Sequence, residues 1–105
     1  MSADALILIR HEWEDGSRRL EAERDDRRRY DRLVEQVEIV ADELRKRVGQ
    51  TYTLEQLAAA YADADRWARQ ALAERSPAPG WARDLVLIVD AAFYGYQRGA
   101  VDYLS

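Results

Sequence analysis

The sequence predicts an all-α fold, and three observations carry that expectation. The chain is built from strong helix formers, with seventeen Ala and fifteen Arg against five Gly and two Pro. An apolar series at alternating three- and four-residue steps runs without a slip from Leu6 to Val48. Turn signals cluster at Gly49 and in the stretch "SPAPG" at 76–80.

The first element follows from the series Leu6, Ile9, Trp13, Gly16, Leu20, Glu23, Arg27, Tyr30, Val34, Val37, Ala41, Leu44, Val48. A heptad phase kept this long predicts one helix over about 5–48, roughly 65 Å at about 1.5 Å per residue. The alternative is a four-helix up-down bundle with this helix broken near 25–26, where Asp26 would cap a second helix. The stretch "RDDRR" at 24–28 has neither Gly nor Pro, which favours the continuous form.

Arg45, Lys46 and Arg47 followed by Gly49 mark the end of the long helix. Thr53 with Gln56 has the spacing of a capping box and opens a helix over about 54–75, with Leu57, Tyr61, Ala64, Ala68 and Leu72 on one face. After 76–80, a helix over about 81–104 carries Trp81, Leu85, Ile88, Ala92, Gly95, Gly99 and Tyr103 at helical spacing. Val86, Val89, Phe93, Tyr96 and Ala100 widen its apolar face, so it should be the central helix. Ala91, Gly95 and Gly99 form a stripe of small residues on which the long helix should approach closely. The chain thus reads as one helical domain over 1–105, the long helix in 1–49 and an antiparallel helical hairpin in 50–105.

Two helices of half its length cannot cover a helix of 44 residues, so the sequence points to a second copy of the chain. Folding the series back about residue 25 places Leu20 opposite Tyr30, Trp13 opposite Val37 and Leu6 opposite Leu44. The expected antiparallel homodimer has its seam at Leu6, Ile9, Trp13, Leu20, Tyr30, Val34, Val37 and Leu44. Its register would be set by Glu23 against Arg27, because buried opposite charges select an alignment more than they add stability.

Function is narrowed by exclusion. There is no Cys, hence no disulfide, thiol nucleophile or thiolate metal site. The apolar run "ALILI" is too short for a membrane span and has no basic flank or cleavage motif, so a cytoplasmic protein without membrane contact is expected. Arg far outnumbers Lys, as in a GC-rich coding sequence, which speaks to source and not to mechanism. The segment "RRLEAERDDRRRYDRL" is charged at twelve of sixteen positions, but acids interleave with its arginines and the whole chain has a net charge of −4. That pattern fits a solvated helix face and does not favour nucleic acid. Arg27, Arg28, Arg29 and Arg32 are the candidate phosphate contacts should an anion bind. "TLEQLAAAYADADRWARQ" is similar to the opening of a helix-turn-helix but lacks the turn glycine.

His11, the only His, stands near Glu12, Glu14 and Asp15 without the paired Glu-x-x-His spacing of a bundle metal site. Asp63, Asp65, Asp84 and Asp90 could pair across helices for acid–base work, but no phosphate loop, nucleophile elbow or triad set accompanies them. No enzyme activity, metal or cofactor is expected. Trp67 falls off the apolar face of its helix, Tyr52 lies in a loop, Tyr94 and Tyr103 lie near the C-terminus, and all are residue types that anchor partners. The sequence therefore reads as a non-catalytic interaction or adaptor protein, a homodimer that binds another protein. Two alternatives remain. One is a transcription regulator acting by DNA contact or through the transcription machinery. The other is a small-ligand-binding bundle with a pocket lined by Trp67, Trp81 and Tyr96.

Overall fold

The computed structural model describes residues 2–77 and 80–101. Its elements are α1 (Ala3–Glu21), α2 (Arg27–Val48), α3 (Leu54–Ala62), α4 (Ala64–Arg75) and α5 (Leu85–Gln97), with no strand among the described residues. The fold is all-α.

The continuous helix expected over 5–48 is instead two helices. Backbone bonds Glu23 N–H to Leu20 O and Arg24 N–H to Glu21 O tighten the end of α1 into a turn. The Asp26 carboxylate then accepts from the Arg29 backbone N–H at 3.2 Å and caps α2. Asp is a poor interior helix residue and a strong cap, and that chemistry breaks the helix without Gly or Pro. The longest dimension of the molecule is 42 Å, well short of the roughly 65 Å a continuous helix would need.

The hairpin arms also differ from expectation. The helix expected over 54–75 kinks at Asp63, whose N–H bonds back to Ala60 O at 3.3 Å. The Trp67 indole N–H donates to the same Ala60 carbonyl at 3.2 Å and holds the two pieces together. The Thr53–Gln56 capping box forms as expected, with both reciprocal bonds present. The last helix starts only at Leu85, after a turn bonded from Arg83 N–H to Gly80 O, and ends at Gln97. Past it, Val101 N–H donates to Tyr52 O at 2.7 Å, tying the chain to the α2–α3 loop.

α5 is central. Leu87 to Phe93 is buried at every position, and α1, α2, α3 and α4 all pack on it. Val86, expected on its apolar face, is 61% exposed. α1 runs antiparallel along α5. Trp13 stacks on Phe93 with ring centres 5.4 Å apart, and Tyr61 meets both rings edge-on. Among the described residues the buried Trp13 Nε1 has no hydrogen-bond partner, and its ring packs on Phe93 and Tyr61. Each large side chain buried this completely contributes roughly 1.5–3 kcal/mol relative to exposure.

The expected α1–α2 seam is therefore corrected. α1 packs on α5 and touches α2 little. Trp13 and Leu44 are fully buried in the chain's own core, Ile9, Leu20 and Val37 pack against that core, and Leu6, Tyr30 and Val34 are partly buried. The buried stripe of α2 is Leu33, Gln36, Val40 and Leu44, sharing only Leu44 with the heptad series. Gln36 is buried because its side-chain amide bonds Ser76 Oγ at 3.3 Å. Filled from within, the seam no longer calls for a second chain.

The close approach expected at Gly95 occurs at Gly16. A Cβ on Gly16 would overlap the Asp90 Cβ and come within 3.0 Å of the Ala91 backbone N, whereas one on Gly95 would meet nothing within 4 Å among the described residues. Gly16→Ala should accordingly destabilise the fold by about 1–3 kcal/mol through overpacking. Gly95→Ala, in an exposed helix interior, should be neutral or stabilising by up to about 1 kcal/mol. Chemical denaturation of the two variants checks both signs.

Candidate anion-binding site

The first three turns of α2 present Arg28, Arg29, Arg32 and Gln36 toward the turn that precedes α5. Together with Gly80, Arg83 and Asp84 they line a pocket of about 270 Å³. Residues 28, 32 and 36 share a helix face at one-turn spacing, so the arginines stack along one wall. Gly80, with φ of 108°, turns the opposite wall in a conformation that disfavours any side chain.

Arg29 organises this corner. Its two terminal nitrogens bond the two carboxylate oxygens of Asp84 at 3.1 Å each, and its Nε lies 3.0 Å from Glu23 Oε2. One guanidinium thus joins the α1–α2 turn, α2 and the entry to α5, with the bidentate geometry only Arg provides. These two carboxylates hold its charge even more firmly than in a free guanidinium, Asp84 contributing most. Asp26, the other carboxylate of the pocket, is engaged in capping. Arg28, Arg32 and Arg83 have no acidic partner among the described residues, whereas most other basic side chains pair with an acid, usually one turn away. Four arginines against two aspartates leave the lining with a net charge of +2.

Of the candidate phosphate contacts, Arg28, Arg29 and Arg32 come together here, but Arg27 does not. Its side chain is 90% exposed and faces Asp31 at 3.9 Å. Within the chain Glu23 pairs with Arg29, and Arg27 with Asp31.

The candidate partner aromatics fare unevenly. Trp67 is buried at 6.1 Å from Phe93, with the Arg47 guanidinium 5.0 Å over its ring. Tyr52 is buried, stacked on Tyr96, and donates its hydroxyl to Tyr96 O at 2.6 Å. Both are core residues; an aromatic that faces a partner and one that packs on a neighbouring helix share one sequence signal. Tyr94 is half-buried beneath Arg98, and Tyr103 lies outside the described residues. Trp67 lines a cleft with Arg47, Gln56 and Asp63, but neither Trp81 nor Tyr96 joins it, so the expected aromatic pocket does not assemble. His11 is exposed in a shallow groove beside Glu14 and Tyr94. Asp63, Asp65, Asp84 and Asp90 do not converge. Arg66, Arg69, Arg29 and Tyr61 respectively hold them.

One constellation escaped sequence reasoning. Asp90, only 6% exposed in the middle of α5, accepts from the Tyr61 hydroxyl at 2.7 Å, and the same hydroxyl lies 2.9 Å from Glu12 Oε2. A single phenolic proton cannot serve two carboxylates at full strength. Burial pushes the Asp90 carboxyl up to about 6; the Tyr61 bond and Arg19 oppose this, while Glu12 and Asp15 add to it. Burial also lifts the Tyr61 hydroxyl well above the usual phenol range, aided by its bond to Asp90. The only signal in the sequence was an acid inside the apolar run "LVLIVDAAF".

Comparison with protein-family models, curated protein sequences and solved structures finds no match.

Two outcomes follow from this geometry. Arg29→Ala leaves Asp84 and Glu23 without their partner and should cost about 1–2 kcal/mol, the lower range for charged hydrogen bonds because the site is partly exposed. Arg29→Lys should rescue only part of that loss, as read by thermal denaturation. Asp90 has a raised folded-state pKa, so its contribution to stability is fully present below the ordinary carboxyl value near 4 and is lost as pH rises through about 6. Relative to Asp90→Asn, the wild type should lose on the order of 2–3 kcal/mol between about pH 4 and 7. A parallel pH profile for the two proteins would refute the burial of a titrating Asp90.

Proposed function

We propose that this protein is a non-catalytic helical binding module that docks another protein through an acidic segment on the pocket between α2 and the entry to α5. The carrying observation is the convergence of Arg28, Arg32 and Arg83, without acidic partners among the described residues, in a chain whose net charge is −4. Arginine is the cation best suited to grip a carboxylate, and its weak hydration favours interfaces. The surrounding acids confine the positive field to this corner, which suits a short acidic segment better than the extended phosphate run of a nucleic acid.

The test is fluorescence anisotropy with a labelled oligo-glutamate peptide, an oligo-lysine control and a duplex DNA. The glutamate peptide should bind, weaken as ionic strength rises, and lose binding in an Arg28→Glu, Arg32→Glu double variant that keeps its helical spectrum. Binding of DNA without peptide, or peptide binding unchanged in the double variant, would overturn the reading.

A further inference from the structure

Within that binding reading, we propose that the group seated in the pocket is a phosphomonoester dianion. The inference rests on what the pocket has already accommodated. Asp84 shows how a carboxylate is held here: the Arg29 fork takes both of its oxygens at 3.1 Å in one plane. Three further arginines, Arg28 and Arg32 from α2 and Arg83 from the facing turn, approach from two sides and so offer donors out of the single plane in which a carboxylate accepts best. A tetrahedral phosphate offers three terminal oxygens pointing in different directions, and forked guanidiniums on two facing elements can reach different ones.

Charge and size agree. The lining has a net charge of +2, which a phosphomonoester above its second ionisation near pH 6 would neutralise. The volume of about 270 Å³ falls just below that of sites for drug-sized ligands, and suits a phosphate and the atoms carrying it. Of the two aspartates in the lining, only the one paired with a guanidinium has its repulsion of such a group offset. Asp84 is held by Arg29, and Asp26 accepts the Arg29 backbone N–H. Gly80 keeps the facing wall free of a side chain beside the Arg83 guanidinium, where even a Cβ would stand 3.6 Å from its Nη2.

The same chemistry can arrive as free inorganic phosphate or on a phosphorylated side chain of the partner. Nuclear magnetic resonance titration of the ¹⁵N-labelled protein separates the cases, using inorganic phosphate, a phosphoserine peptide and the same peptide with Glu in place of phosphoserine. The expected result is that the Gly80 amide and the Nε–H of Arg28, Arg32 and Arg83 shift together. The phosphorylated ligand should bind about tenfold or more tightly than its Glu counterpart, strengthening as pH rises through about 6. Arg28→Ala and Arg32→Ala, both at exposed positions, should each weaken binding about tenfold with the helical spectrum intact. A phosphopeptide affinity well above that of inorganic phosphate supports the proposal with a modified side chain as the source. Equal affinities support it with free phosphate as the source. A Glu peptide that binds as tightly as the phosphopeptide overturns the proposal while leaving the acidic-segment reading in place. Failure of all three ligands overturns both.

Discussion

A thirteen-residue helix too apolar to meet water sets the terms for everything around it. α5 buries Leu87 to Phe93 on every side, and its length is only about 20 Å. A partner helix gains from packing on it only over that distance. A helix more than twice as long would run past the core with its apolar residues bare. The turn at 22–26 and the kink at Asp63 follow from that constraint, because they bring four short helices onto one short axis. Local chemistry decides where the breaks fall: a capping aspartate at 26, and at 63 an aspartate beside a carbonyl that the Trp67 indole can satisfy.

The elements legible in the sequence are those whose signals are local. The Thr53–Gln56 box and the stop at Gly49 depend on residues within a turn or two and formed as read, and α5 is central as its apolar content implied, though shorter than expected and with Val86 turned outward. The α1–α2 break was visible only as an alternative, because an aspartate on an exposed helix face and an aspartate capping a new helix share one sequence. The heptad series misled for a different reason. A strict 3.5-residue period fits a long supercoil, but a short helix packing on one neighbour buries what its own rotation presents. In α2 that is Leu33, Gln36, Val40 and Leu44, including a polar residue that apolar counting passes over.

The candidate site was half legible. Arg28, Arg29 and Arg32 stood out as neighbours in sequence, but their acids made them look like a solvated face. What separates Arg29 from the others is Asp84, 55 residues away, and no local pattern announces that pair. Once Arg29 is committed to holding three segments together, the neighbouring arginines are placed by a rigid scaffold. Fold stability and the proposed recognition thus share a guanidinium cluster while using different members of it. The buried Asp90 was likewise readable only as an anomaly, since its partners Tyr61 and Glu12 come from other helices.

Gly16 also governs how the molecule can move. It is the only glycine in α1, and the Asp90–Ala91 backbone of α5 lies against it. Sliding α1 by one turn in either direction would put Glu12 or Leu20 at the contact, and neither can fit where no Cβ does. Ratcheting along α5, a common route by which packed helices exchange positions, is therefore closed to this pair. A route that keeps α1 folded is a swing outward about the turn at 22–26. That motion would pull Glu23 directly on the Arg29 clamp, so the pivot and the arginine corner are mechanically one place.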